Sequence, residues 1–458
     1  MDTFFFESYK YYVQSDGLHI SFCFRVGDHE FQPDAIITSR PFLHPEKVDK
    51  RLLDSLVFNI GMIELVSYWK AFCPKNVVIK CGTLSEEQIA FWKHLYYNGL
   101  GEFFYKNNID ADPDNFIIIN GRLGRCFNDL SDTSSRSDQQ GNIETIIPIG
   151  GGKDSVVSLE LLKKDCKQRP IPLIMNPRGA TIQCVQRAGY SMEDVIVIKR
   201  TIDPHLLDVN SKGALNGHTP FSAMLAFYTV LASTLTCKEC RIALSNESSA
   251  NESTVPGTMV NHQYSKSLEF ENNFRSYIKK WLEPQFKVAG IPMPDYFSFL
   301  RPLSELQIAM LFSRYPQYFD VFKSCNVGSK QDVWCGHCAK CLFAYIILSP
   351  FIEPDRLNEI FGKNMLDDIL LQKEFDELTG QADVKPFECV GTVSEVNSAL
   401  SMCIRKWYVE KRPALLLNYH ESKPLTPLDN LYNEHNLPAD CLSVIYQSLL
   451  TGHRLYER

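Results

Sequence analysis

Three consecutive glycines between an apolar stretch and an amphipathic one constrain this chain more than any other feature. Residues 146–149 read Ile-Ile-Pro-Ile, then come Gly150, Gly151, Gly152, Lys153, Asp154 and Ser155, and a helical apolar pattern follows over 156–164. A strand that passes through glycines into a helix presents free N–H groups and the positive end of the helix dipole. Without Cβ atoms, an anion reaches that backbone closely. Lys153 adds a cation, Ser155 a hydroxyl, and Asp154 a carboxylate suited to a Mg²⁺ ion that bridges phosphates. The spacing is neither that of the kinase-type phosphate loop nor the dinucleotide GxGxxG pattern.

Around this loop, strands and helices alternate. Strands are expected at 146–149, 171–175, 195–198 and 241–244, with helices at 156–164, 181–188 and 221–235. Such alternation predicts an α/β fold with a doubly wound, mainly parallel sheet whose ligand sits at the carboxyl ends of the strands. Upstream, residues 19–26 alternate with period two and lead into a turn at Gly27 and Asp28. Helices are expected at 52–72 and from a cap at Ser85 to residue 97, with a short strand at 77–79. The Ser/Asp-rich stretch 130–141 has no periodicity and reads as a linker. At 458 residues the chain divides naturally into a smaller α+β N-terminal domain (1–140), a nucleotide-binding domain (141–355) and a mainly helical C-terminal extension (356–458).

A net charge of −7 argues against a nucleic-acid surface. No uncharged apolar run approaches the roughly 18 residues of a membrane helix, and the first residues lack the basic start of a signal peptide. The chain is therefore expected to be cytoplasmic, with its 15 cysteines reduced or metal-bound. Four of them, Cys325, Cys335, Cys338 and Cys341, follow a Cys-x9-Cys-x2-Cys-x2-Cys spacing that suits a closed tetrahedral zinc site. An iron–sulfur cluster and a metal-free group of thiols are the alternatives. Cys237 and Cys240, without a partner pair nearby, are assigned to the core.

The glycine loop resembles the SGGxDS loop of the ATP pyrophosphatase (PP-loop) superfamily, with Gly150 in place of the usual serine. The resemblance implies cleavage of ATP between the α and β phosphates and an adenylated intermediate. Together with the cysteine pattern it also resembles 7-cyano-7-deazaguanine synthase, a protein of about half this length. Further stretches narrow the choice: Asn216-Gly217-His218-Thr219-Pro220, residues 245–252, residues 260–267 and Lys385-Pro386-Phe387-Glu388-Cys389-Val390-Gly391-Thr392. With the glycine loop and Trp334-Cys335-Gly336-His337-Cys338-Ala339-Lys340-Cys341, these resemble the MurL family. That resemblance implies a UDP-muramoyl dipeptide substrate, adenylation of its terminal L-glutamate, and inversion of the activated α-carbon.

Inversion requires proton-transfer groups within hydrogen-bond reach of that carbon. Cys389, beside Glu388, is the first candidate, and His218 and His262 are the others. Arg178 is placed to pair with a phosphate or carboxylate, and Glu247 and Glu252 are candidates for Mg²⁺ or a substrate amine. An adenylating enzyme acting on a nucleobase or tRNA and a non-catalytic ATP sensor are the competing functions.

Overall fold

The computed structural model describes residues 2–121, 143–165, 169–255, 257–258, 260–421 and 425–456. The expected linker at 130–141 lies outside them. Eleven strands form one sheet: β1 (Thr3–Gln14), β2 (Gly17–Val26), β3 (His29–Phe31), β4 (Asp34–Thr38), β5 (Asn76–Ile79), β6 (Ile118–Gly121), β7 (Glu144–Pro148), β8 (Ile171–Met175), β9 (Ile196–Thr201), β10 (Cys240–Leu244) and β11 (Asp295–Ser298). Their order is β11-β10-β7-β8-β9-β4-β2-β1-β5-β6, with β3 hydrogen-bonded to β2.

The half from β11 to β9 is parallel throughout. Chain order runs outward from β7 in both directions, so a switch point falls between β7 and β10. These strands are buried on both faces, and consecutive residues serve opposite cores. Ile146, Ile196 and Ile242 face one core; Ile147, Val197 and Ala243 face the other. That explains their nearly continuous Val/Ile/Ala composition.

The N-terminal strands do not form a sheet of their own, contrary to the separate α+β unit expected over 1–140. Antiparallel pairing of β4 with β9, Asp34 to Thr201 through Ile37 to Ile198, joins both halves. Behind this seam the helix Lys50–Trp69, almost entirely buried, packs on β1 and on the helix Phe221–Thr234. It is long and apolar enough to cross a membrane, yet it is a core helix here. Its first turn is capped by the Asp49 side chain. The helix Glu86–Gly99 starts at the expected Ser85, with a capping box closed by Gln88. Beyond residue 353 the elements are helical, ending in Ala439–Tyr456.

Candidate active site

A cavity of about 690 Å³ opens at the carboxyl ends of β7, β8 and β10, over the switch point. Gly150, Gly152, Asp154 and Ser155 line it from the loop, Asn176 and Arg178 from the turn after β8, and Ser245 and Asn246 from the end of β10. The helix Lys153–Asp165 begins directly on the loop.

The three glycines are not equivalent. Gly151 has φ +82°, and a Cβ there would come within 3.0 Å of the Ala180 side chain and 3.1 Å of the Thr181 nitrogen. Only glycine meets both constraints. At Gly150 a Cβ would have open space. Arg178 donates from Nη2 to the Gly150 carbonyl at 3.1 Å, which fixes its guanidinium at the rim. The Lys323 N–H donates to the Gly151 carbonyl at 2.8 Å, tying the loop to the chain just before Cys325.

Lys153 does not line the cavity. Its buried ammonium is enclosed by Asp154, at 2.5 Å, and by the buried carboxylate of Glu305. Burial and the neighbouring Asp154 and Glu247 push the Glu305 pKa up, against the pull of the Lys153 charge. Burial would also raise Asp154, but the ammonium groups of Lys153, Lys340 and Lys266 hold its pKa below the usual range. The ammonium side chains that line the cavity are Lys266 and Lys340, and the motif pattern assigned neither a role. Lys266 is held by buried Arg301, whose Nη2 donates to the Lys266 carbonyl and whose Nη1 donates to the Glu247 carbonyl at 2.5 Å.

Opposite the glycine loop in sequence, but in the same cavity, are Cys389, His262 and His218. Burial alone would raise the Cys389 thiol. The Lys266 charge, the hydrogen bond and charge of His262, and the Lys340 charge more than reverse this, bringing its pKa to about 6. His262 is correspondingly raised to about 9, against the effect of its burial, by hydrogen bonds to Cys389 and Glu102. At neutral pH the pair is thus a thiolate facing an imidazolium. His218 lies 4.5 Å from His262 between ring centroids. Burial and the adjacent His262 lower its pKa to about 3, so it is neutral. Glu102 completes the cluster: its Oε2 accepts from His262 Nδ1 and lies 3.6 Å from His218 Nδ1.

Glu388 points elsewhere and accepts from Asn326 Nδ2 at 2.5 Å. Glu247 is buried outside the cavity lining, and Glu252 pairs with Lys385.

The four cysteines converge as their spacing predicts. Cys325 and Cys338 sulfurs are 3.8 Å apart, Cys335 and Cys341 3.7 Å, and Cys338 and Cys341 3.5 Å. A tetrahedron with Zn–S bonds of about 2.3 Å has edges of about 3.8 Å, so the donor set fits a zinc ion. His337, outside this set, is exposed and bonds the Cys335 carbonyl. The cluster braces the cavity wall: Ser324 and Asn326 flank Cys325, and Lys340 precedes Cys341, all three lining the cavity. Between Cys325 and Cys335, Asp332 Oδ1 accepts from the Ala180 N–H at 2.9 Å and so caps the helix that follows Arg178. Cys237 donates to the His44 carbonyl, and Cys240 bonds to Thr236 and to the Ser233 carbonyl.

Comparison with known proteins adds the following. The family model of the MurL N-terminal domain matches residues 1–290, and that of the MurL C-terminal domain matches residues 321–424. A UDP-N-acetyl-alpha-D-muramoyl-L-alanyl-L-glutamate epimerase of Xanthomonas oryzae pv. oryzae is 32% identical over 399 residues, 83% of each chain. Proteins of the same name from a Micromonospora strain and from Salinispora tropica are 32% and 33% identical over 413 residues. Those alignments cover 88% of this chain, and 87% and 85% of the relatives respectively. No solved structure matches the chain.

Proposed function

The chain belongs to the MurL family, and on that premise we propose that it is an ATP-dependent epimerase inverting the terminal L-glutamate of UDP-N-acetylmuramoyl-L-alanyl-L-glutamate. The observation that carries the mechanism is the placement of Cys389 and His262 in one cavity with a glycine-rich helix N-terminus. Neither feature alone requires ATP-driven inversion. Together they supply what that reaction needs.

The α-proton beside a free carboxylate is poorly acidic, because its removal concentrates a second negative charge on the same group. Attack of the glutamyl α-carboxylate on the α-phosphorus of ATP forms an acyl-adenylate, with cleavage of the bond to the β-phosphate and loss of pyrophosphate. The loop of Gly150, Gly151, Gly152 and Ser155, with Arg178 at its rim, cradles the phosphates as a PP-loop does. Asp154 is the residue to hold Mg²⁺, which would neutralise the charge on the leaving pyrophosphate. Once the carboxylate is adenylated, its carbonyl accepts the electrons of the α-C–H bond as an enolate, stabilised by the Lys266 and Lys340 ammonium groups. Cys389 takes the proton from one face, and the His218–His262 pair returns one to the other. Water then cleaves the mixed anhydride to the D-glutamyl product and AMP. In balance, ATP and water are consumed and AMP and pyrophosphate released for each inversion. The four-cysteine cluster is the structural zinc site that holds the Lys340 wall.

Incubation with ATP, Mg²⁺ and the UDP-muramoyl dipeptide in D₂O tests this. AMP formation with deuterium at the glutamyl α-carbon is expected. AMP formed only with a nucleobase substrate, or ATP binding without any AMP, overturns it. Cys389→Ser is expected to retain pyrophosphate release while losing inversion by about 10²–10⁴-fold, the usual worth of a general base. Asp154→Ala is expected to lose pyrophosphate release itself.

A further inference from the structure

Glu102 has no part in the ATP loop or the cysteine cluster, and nothing in the sequence marks it as special. It sits in the short helix Gly101–Lys106 of the N-terminal half, yet it is only 5% exposed and reaches the cavity wall. One carboxylate oxygen accepts from His262 Nδ1 and faces His218; the other accepts from Lys106 Nζ at 2.5 Å. The same helix grips the segment that carries Cys389. Tyr105 packs on Phe387 with ring centroids 5.3 Å apart, and the Lys106 ammonium lies 4.9 Å from the Phe387 ring centre. His262 and Cys389 line the same cavity, and His262 bears on the Cys389 thiol as well as on Glu102. A carboxylate, an imidazole and a thiol are therefore in series, each from a different stretch of chain.

We propose that Glu102 is the positioning residue of the proton-transfer site, orienting His262 and keeping it protonated so that Cys389 stands as a thiolate. This inference rests on the epimerase mechanism for its consequence but not for its chemistry. The thiol proton moves to the imidazole, giving thiolate and imidazolium with no change in total charge, and the Glu102 carboxylate stabilises the imidazolium. The charged and titratable groups around the thiolate are His262, Lys266 and Lys340, with Glu102, His218, Lys70, Lys106 and Glu388 around His262. The first 121 residues thereby complete the catalytic site, in addition to any contact they make with the substrate. Two imidazoles and a carboxylate so close also form a possible divalent-metal set. The Glu102 carboxylate, however, is already paired on both oxygens, with Lys106 and with His262, so the cluster is satisfied without an ion.

The test is the pH dependence of iodoacetamide alkylation at Cys389, followed on its own peptide by mass spectrometry, in the full chain and in Glu102→Gln. The amide keeps the shape and loses the charge. Alkylation in the unsubstituted chain is expected to be half-maximal near pH 6, and in E102Q to be at least tenfold slower at that pH with the midpoint displaced upward. Added Mn²⁺, which leaves the four-cysteine cluster in place, is expected to leave both profiles unchanged. ATP affinity and pyrophosphate release should stay within about threefold, while α-deuterium incorporation falls with kcat and KM is little altered. Superimposable alkylation profiles in the two proteins, or suppression of alkylation by added Mn²⁺ in the unsubstituted chain alone, overturn the proposal. If E102Q does not fold, Glu102→Asp, which keeps the charge but shortens its reach, should show a smaller shift of the same sign; no shift overturns it equally. Failure of the epimerase mechanism itself is seen separately, as absence of deuterium incorporation in the unsubstituted chain while the alkylation difference persists.

Discussion

At Gly151, left-handed backbone and a close neighbour coincide; at Gly150 neither applies. Gly151→Ala should therefore cost about 1–2 kcal/mol from the backbone conformation alone and abolish measurable ATP binding by calorimetric titration. Gly150→Ser should leave the melting temperature unchanged and ATP affinity within a few-fold. The Cys389–His262 pair sets a second expectation at this scale. The working form carries a thiolate and an imidazolium, so activity is lost as pH falls through about 6, where the thiolate takes a proton. It is lost again as pH rises through about 9, where the imidazolium gives one up. A bell-shaped kcat/KM profile with those limbs is expected, and they belong to the coupled pair, not to either residue. A profile rising steadily from pH 5 to 10 would contradict the assignment. Cys389 was legible as a candidate because it stands beside polar groups in a distinctive stretch. Lys266, Lys340 and Glu102 were not, because an isolated Lys or Glu in a sequence is indistinguishable from a solvated surface charge until burial and partners are known.

Among the elements, the segment 323–341 does more than close on its four sulfurs. It donates Lys323 N–H to the glycine loop, supplies Asp332 to cap the helix after Arg178, and carries Lys340 into the cavity wall. With zinc in the cluster as proposed, its removal should lower the melting temperature and weaken ATP binding together, because metal binding free energy becomes partly folding free energy. A chelator series followed by calorimetry and ATP titration checks this; unchanged ATP affinity in a zinc-free but folded chain would contradict it. The cysteine spacing was readable because thiolate geometry restricts ligand separation along the chain. The bracing was not, since it depends on single hydrogen bonds between segments more than a hundred residues apart.

In the whole molecule, β4–β9 pairing makes one sheet of what composition divides in two. A buried ion pair reinforces that join: Arg200 at the end of β9 donates from Nε and Nη2 to Glu64 of the helix Lys50–Trp69 at 2.5 and 2.6 Å, and Tyr228 adds a hydrogen bond at 3.1 Å. Glu64 and Arg200 are 1% and 8% exposed at their side chains. Glu64→Ala leaves the guanidinium buried without a counter-charge, at a cost of about 3–5 kcal/mol. The change should also reach the cavity, because Asn176 exchanges two hydrogen bonds with the Arg200 backbone and lines the cavity itself. Calorimetry should show one cooperative transition at lowered temperature; two transitions, with only the first displaced, would mean that the halves unfold independently. Composition shifts at the Ser/Asp-rich stretch and so suggested a boundary, whereas strand pairing between segments far apart in sequence decides whether the two sides share a sheet.

By itself the sequence determined the parallel α/β half, the position of the glycine loop at a strand's carboxyl end, and the convergence of four cysteines. Each follows from local periodicity, backbone freedom or short ligand spacing, which neighbouring residues encode. Tertiary structure alone decided that the N-terminal strands extend the same sheet, that Lys153 is enclosed by Glu305 while Lys266 and Lys340 face the cavity, and that Glu102 stands behind His262 and Cys389. Those are outcomes of burial and of contacts between distant segments. A pKa moved by several units by such neighbours has no signature in the residue that carries it.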